Sequence, residues 1–247
     1  MINPEDISQG EVEIVGQAFD APLVVKGWTW LPLTQLITWG IMVREVKRKH
    51  LEWDWRTRLV VGTLSMGAML GSEWCHNLAH AAAAQWVGKP VDCIRVSWGM
   101  PLLVYYDTED PDVTPRQHII RSLGGPVINA ILLGVSTISK YFTRDNSPAR
   151  NVVNAAVGTN IFLIATGMTP IPFFDGGAVL KWGLVDRGQT LEEADLTVRK
   201  VNAVSGAGMG IGAALALKKH KKLLGAFLAC MAALSLGVAT GLFKEKE

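Results

Sequence analysis

The 247-residue chain carries 24 basic and 22 acidic side chains for a net charge of +2, and it is 49% hydrophobic with only 19% charged residues. With a mean hydropathy above zero, this composition argues against an ordinary soluble domain and predicts a membrane protein, and so small a net charge gives no footing for nucleic acid. Cys75, Cys93 and Cys230 have no paired spacing, which argues against both a disulfide framework and a thiolate zinc site.

Residues 1–26 are acidic, with Glu5, Asp6, Glu11, Glu13 and Asp20. They lack the basic start and apolar core of a cleavable signal peptide. An apolar window follows at 27–43, interrupted by Pro32, Thr34 and Gln35 and flanked by Trp28 and Trp30, which suit a membrane interface. A basic loop at 44–58 leads to a second window, 59–85. The mixed loop 86–118 contains VDCIRVSWGMPLLVYY, Val91 to Tyr106. Its alternation predicts a short β-hairpin turning at Gly99-Met100-Pro101.

Further windows cover 119–139, 152–180, 202–217 and 223–243, separated by loops at 140–151, 181–201 and 218–222. Each is close to the length that crosses a bilayer. Within the fourth loop, Thr190-Leu191-Glu192-Glu193 has the form of a capping box and predicts a short amphipathic surface helix. In GAGMGIG, Gly206 and Gly210, like Gly208 and Gly212, are spaced for close helix packing. The expected fold is an all-α polytopic membrane protein of about six transmembrane helices, with a small β-hairpin after the second.

Polar side chains in hydrocarbon are costly, so each one needs a partner or a purpose. His76 and His80 in SEWCHNLAHAAAAQW stand one helical turn apart on one face, the spacing with which two imidazoles bind one metal ion. Asn129 lies in the third window. Asp175 lies in TPIPFFDGG, where Pro170, Pro172, Gly176 and Gly177 break a membrane helix, and broken backbone at that depth lines a protein-enclosed site. Two imidazoles and a carboxylate make a three-ligand zinc set with an open position for water. Interhelical hydrogen bonding is the alternative reading of the histidine pair.

Three stretches in order resemble the site-2 proteases, intramembrane zinc metalloproteases. HNLAHAAAAQWVGKPV is similar to that family's H-E-x-x-H helix and the G-x-x-V turn that follows it. GGPVINAIL, Gly124 to Leu132, is similar to G-P-x-x-N, with Asn129 at the asparagine. GMTPIPFFDGG is similar to N-x-x-P-x-x-P-x-D-G-G, with Asp175 on the third zinc ligand. The resemblance implies zinc bound by His76, His80 and Asp175 within a core at 59–181, with Asn129 near the reacting carbonyl. It also implies a membrane-embedded substrate or partner protein whose strand pairs with the edge of the 91–106 hairpin. The remaining segments are an acidic start at 1–26, a first helix and basic loop at 27–58, a surface segment at 182–201 and a two-helix hairpin at 202–247. The expected setting is multi-pass, in a prokaryotic-type cell membrane.

The pattern departs at Asn77, which stands where the family has its catalytic glutamate, and at Gly167 and Phe173, which replace an asparagine and a proline. An amide has no basic site at neutral pH, so Asn77 can orient a water but not take its proton. Glu73, one turn earlier on the same face, is a candidate substitute base. Its other reading is a hydrogen-bonding support for a neighbouring polar group. The sequence therefore predicts a zinc-binding homologue with weak or lost peptidase activity. The alternatives are a silent protein that captures transmembrane helices and, less favoured, a metal or proton transporter. The loops 44–58, 140–150 and 218–222 hold six, three and four Lys and Arg, which places them in the cytoplasm and the histidine end of the second helix away from it. The resemblance implies the opposite, with zinc nearer the cytoplasmic face.

Overall fold

Two-residue turns with both residues at positive φ match the twist of antiparallel strands, and the chain makes two of them, at Phe19–Asp20 and at Trp98–Gly99. In the computed structural model, which describes residues 12–105, 107 and 109–243, these turns close two hairpins. The first joins β1 (Glu13–Ala18) to β2 (Ala21–Val25), and the second joins β3 (Cys93–Ser97) to β4 (Met100–Val104). β2 pairs parallel with β3, giving one sheet in the order β1-β2-β3-β4.

The predicted hairpin is present, with Tyr106 outside the described residues, but its turn falls one residue earlier than expected. Met100 and Pro101 already pair with Ser97 and Val96, and Pro101 is tolerated because β4 is an edge strand. Within the acidic first segment, for which the sequence motifs name no element, 13–25 supplies two strands; Glu5, Asp6 and Glu11 lie outside the described residues.

The helices are α1 (Leu33–Lys49), α2 (Trp55–Trp86), α3 (Pro115–Ser139), α4 (Pro148–Gly167), α5 (Asp175–Val185), α6 (Leu191–Lys218) and α7 (Lys222–Thr240). They fall into two units. One contains the chain up to Val113 with Leu123–Ala165, and the other Thr114–Ser122 with the chain from Thr166.

In the first unit α2 begins at Asp54, whose carboxylate accepts the backbone N–H groups of Arg56 and Thr57, satisfying donors that a helix start leaves open. It ends at Gly88, whose positive φ lets the chain turn toward the sheet. The alanine-rich end of α2 has a packing reason. Ala81 and Ala84 are fully buried with Ala21, Val91 and Ile94, so the sheet lies directly on this end of the helix. The β3–β4 turn is pinned as well, because Thr34 Oγ1 donates to Trp98 O at 2.7 Å and Trp74 Nε1 to Gly99 O at 3.2 Å.

In the second unit α6 and α7 form a hairpin whose centre holds Asn202 and Ser235, both fully buried. The expected capping box is present, with Thr190 Oγ1 accepting Glu193 N–H and the Glu193 carboxylate accepting Thr190 N–H. It opens a single 28-residue helix, not a short surface helix followed by a separate span. No breaker separates 191–201 from 202–217, so the helix has no reason to stop. Gly206, Gly210 and Gly212 face Leu236, Ala232 and Leu228 of α7, with Gly206 the tightest, whereas Gly208 faces open space.

Three helical stretches are long and apolar enough to cross a membrane: Pro115–Phe142, Leu191–Lys218 and Lys222–Thr240. On the first, Val127, Ile131, Val135 and Ile138 form an exposed apolar stripe at helical spacing. The described chain is mainly helical, with a small sheet and three candidate membrane spans.

Candidate metal centre

His76 and His80 sit in the half of α2 nearest the sheet, with their Nε2 atoms 3.1 Å apart and their rings edge to face. This is the separation expected of two imidazoles sharing one ion, since nitrogens about 2.0–2.1 Å from a tetrahedral zinc lie roughly 3.3 Å apart. Space for the pair comes from α3. A Cβ at Gly125 would collide with both rings, so this position has to be glycine. The Gly125 N–H donates to His80 Nδ1 at 3.3 Å.

Behind His76 runs a buried chain of amides. His76 Nδ1 bonds Asn129 Oδ1, Asn129 Nδ2 donates to Asn160 Oδ1 at 2.7 Å, and Asn160 Nδ2 donates to Ser72 Oγ at 3.1 Å and to the Ala156 carbonyl at 2.9 Å. Ser72 Oγ donates in turn to the Ala68 carbonyl at 3.0 Å. Asn129 and Asn160 are 0% and 1% exposed. An unpaired buried amide costs about 1–3 kcal/mol, so each member depends on the next. Asn129, expected near a reacting carbonyl, has its oxygen on His76 and a nitrogen on Asn160.

Asn77 donates from Nδ2 to the Glu73 carbonyl at 3.0 Å, a bond back along its own helix. Glu73 Oε2 is buried and has no hydrogen-bond partner among the described residues. Of the two, the carboxylate is therefore the side chain with an unmet demand for a proton or a cation.

In the second unit Asp175 is the first residue of α5, where a carboxylate complements the positive end of the helix. The break before it is built by Gly176 and Gly177, whose added Cβ atoms would strike the backbone of Met168 and Thr169 and of Ile171 and Pro172. The segment is held from two sides. Ile171 is fully buried with Met231 and Val238, and Asn202 Nδ2 donates to the Pro170 carbonyl at 2.6 Å.

His76 and His80 belong to the first unit and Asp175 to the second, and all three are ligand types that a zinc ion accepts. The fit to a cation rests on the donor chemistry, two imidazole nitrogens and a carboxylate, and on the Cβ-free gap at Gly125. Ser72, Asn160 and Asn202 are not singled out by the sequence motifs, whereas Gly125 is the glycine of the G-P-x-x-N match. For Asn160 a signal existed, an amide in the apolar window 152–180, which it shares with Asn154 near the start; Ser72 and Asn202 show only through contacts distant in the chain.

The architecture is a site-2-protease-like fold. The chain resembles the Site-2 Protease from Methanocaldococcus jannaschii over 96% of its own length and 97% of that chain, with a TM-score of 0.51 and 12% sequence identity. No protein-family model matches the sequence, and no curated protein matches it.

Proposed function

We propose that this protein is an integral-membrane, zinc-binding member of the site-2-protease type whose peptidase activity is weak or lost. The observation that carries the reading is the His76–His80 pair, with facing Nε2 atoms at 3.1 Å and the Cβ-free gap of Gly125 beside them. His76, His80 and Asp175 would hold the ion. When bound, zinc supplies Lewis-acid polarisation and a water acidic enough to lose its proton near neutral pH.

The chain's own residues decide how much of that chemistry is used. Peptide hydrolysis needs a group that takes the water's proton and returns it to the leaving amine. Asn77 cannot do so and is bonded to its own helix. Removing general acid–base help costs about 10²–10⁴ in rate. Glu73 carries the nearby buried carboxylate oxygen that lacks a hydrogen bond, and we assign it as the substitute base for whatever activity remains. His80 receives the Gly125 N–H on Nδ1, so in the neutral, metal-free pair its own proton lies on Nε2. To hold an ion through Nε2, His80 would have to release that proton or move it to Nδ1 at the expense of the Gly125 hydrogen bond.

About six membrane crossings and a membrane-embedded protein substrate complete the proposal. The helical turn at Asn77 also favours a second reading, a silent protein that uses the same groove to hold transmembrane helices of partners.

Cleavage of a single-span reporter in lipid vesicles tests the primary reading. The native protein is expected to cut slowly or not at all, and Asn77→Glu to raise the rate at least about 10²-fold. Robust native cleavage that survives Glu73→Gln would contradict it. An Asn77→Glu variant that binds zinc yet never cleaves would favour the silent binder.

A further inference from the structure

The amide chain behind His76 has a direction, and backbone atoms fix it. Carbonyl oxygens can only accept, so the Ala156 carbonyl forces Asn160 to present Nδ2 to it at 2.9 Å. The same nitrogen donates to Ser72 Oγ, whose own proton goes to the Ala68 carbonyl. Asn160 Oδ1 is thus left as an acceptor. Asn129 must then offer its nitrogen to Asn160, at 2.7 Å, and its oxygen to His76. An oxygen facing His76 Nδ1 requires the proton of a neutral imidazole to sit on Nδ1. The lone pair is then on Nε2, the atom 3.1 Å from His80 Nε2.

We infer that Asn160 is a positioning residue. From α4, through Asn129, it sets the tautomer in which His76 turns an unprotonated Nε2 toward the metal position, with Ser72 as a second anchor. This inference rests on the proposed zinc site for its consequence, but the tautomer itself is a property of the metal-free protein. The separation in sequence, 88 residues between Ser72 and Asn160 and 31 between Asn129 and Asn160, makes the device a product of the fold. With an apolar residue at 160, Asn129 Nδ2 loses its acceptor, and nothing stops the amide from turning its nitrogen to His76. That orientation demands a lone pair on Nδ1 and puts the proton on Nε2.

The test is nitrogen NMR of the metal-free protein with ¹⁵N-labelled histidine, beside zinc affinity by competition with a chelating dye. The His76 signal is assigned by its loss in His76→Gln. Native His76 is expected to show Nδ1–H. Asn160→Leu is expected to lose that signature and to bind zinc about 10- to 100-fold more weakly. Asn160→Asp keeps an acceptor for Asn129 and is expected to keep the Nδ1–H form.

A folded Asn160→Leu protein with an unchanged His76 tautomer and unchanged zinc affinity would overturn the inference. Should Asn160→Leu not fold, Asn160→Asp decides, and loss of the Nδ1–H form there overturns it. A native protein that binds no zinc would sink the proposed function while leaving the tautomer result to judge the amide chain.

Discussion

A methyl group at Gly125 would meet the imidazoles of both His76 and His80, so the shape of the metal centre depends on a residue that offers it no side chain. Gly125→Ala overfills this site. It is expected to cost about 1–3 kcal/mol of stability and to abolish stoichiometric zinc binding, read by thermal unfolding in detergent and by metal analysis. Unchanged zinc content in a folded Gly125→Ala protein would show that the ion does not sit between the rings. At this scale the sequence was legible where chemistry follows local spacing. His76 and His80 are one turn apart on any helix, and Asp175 stands beside helix-breaking residues. It was not legible where the partner comes from another helix. Asn160 and Ser72 matter only because α2 and α4 bring them within 3.1 Å.

One helix start was readable for a similar reason, the capping box at Thr190, because a cap is a local hydrogen-bond pattern; Asp54, inside the expected loop 44–58, caps α2 by the same chemistry without having been singled out. The Asp54 carboxylate accepts the Thr57 hydroxyl at 2.7 Å, the Thr57 N–H at 3.0 Å and the Arg56 N–H at 2.8 Å. The Thr57 hydroxyl, and then these backbone donors, hold its pKa below the ordinary aspartate value of 3.8. A depressed folded-state pKa contributes stability above the unfolded value, and that stability is lost as pH falls through the folded one. Asn caps helices as well as Asp does but does not titrate. Asp54→Asn is therefore expected to unfold with a weaker dependence on acid while changing little at neutral pH; an unaltered acid profile would mean the cap contributes nothing to it. The sheet was half legible. IRVSWGMPLLV alternates like a strand pair, but EIVGQAFDAPLVV was overshadowed by its acidic surroundings, and its parallel pairing with β3 could come only from tertiary structure. The continuity of α6 was missed because a polar first third was taken for a loop.

Across the first unit, the ends of α1 and α2 define two faces. At one, His50 and Asn151 share a hydrogen bond at 3.0 Å, bringing the basic loops 44–58 and 140–151 together; at the other, Thr34 and Trp74 hold the β3–β4 turn. The 32 residues of α2 extend about 48 Å at 1.5 Å per residue, a length that would cross a bilayer. This helix is not among the three stretches that are also apolar enough, and its crossing is part of the proposal. In a background without the native cysteines, Cys introduced at Leu51 and at Asn146 is expected to react with an impermeant thiol reagent from one side of the membrane, and Cys introduced at Trp98 from the other. Labelling of all three from the same side would contradict a membrane-crossing α2.

The fold that carries these faces is that of a site-2-protease-like protein, and the function proposed for it stands on the metal. The most direct measurement is the zinc content of the detergent-purified protein, alongside His80→Ala and Asp175→Ala. About one zinc per chain, lost in both variants, is the expected result for an open three-ligand site. A native protein without zinc under zinc-replete conditions, or full zinc retained by either variant, would contradict it.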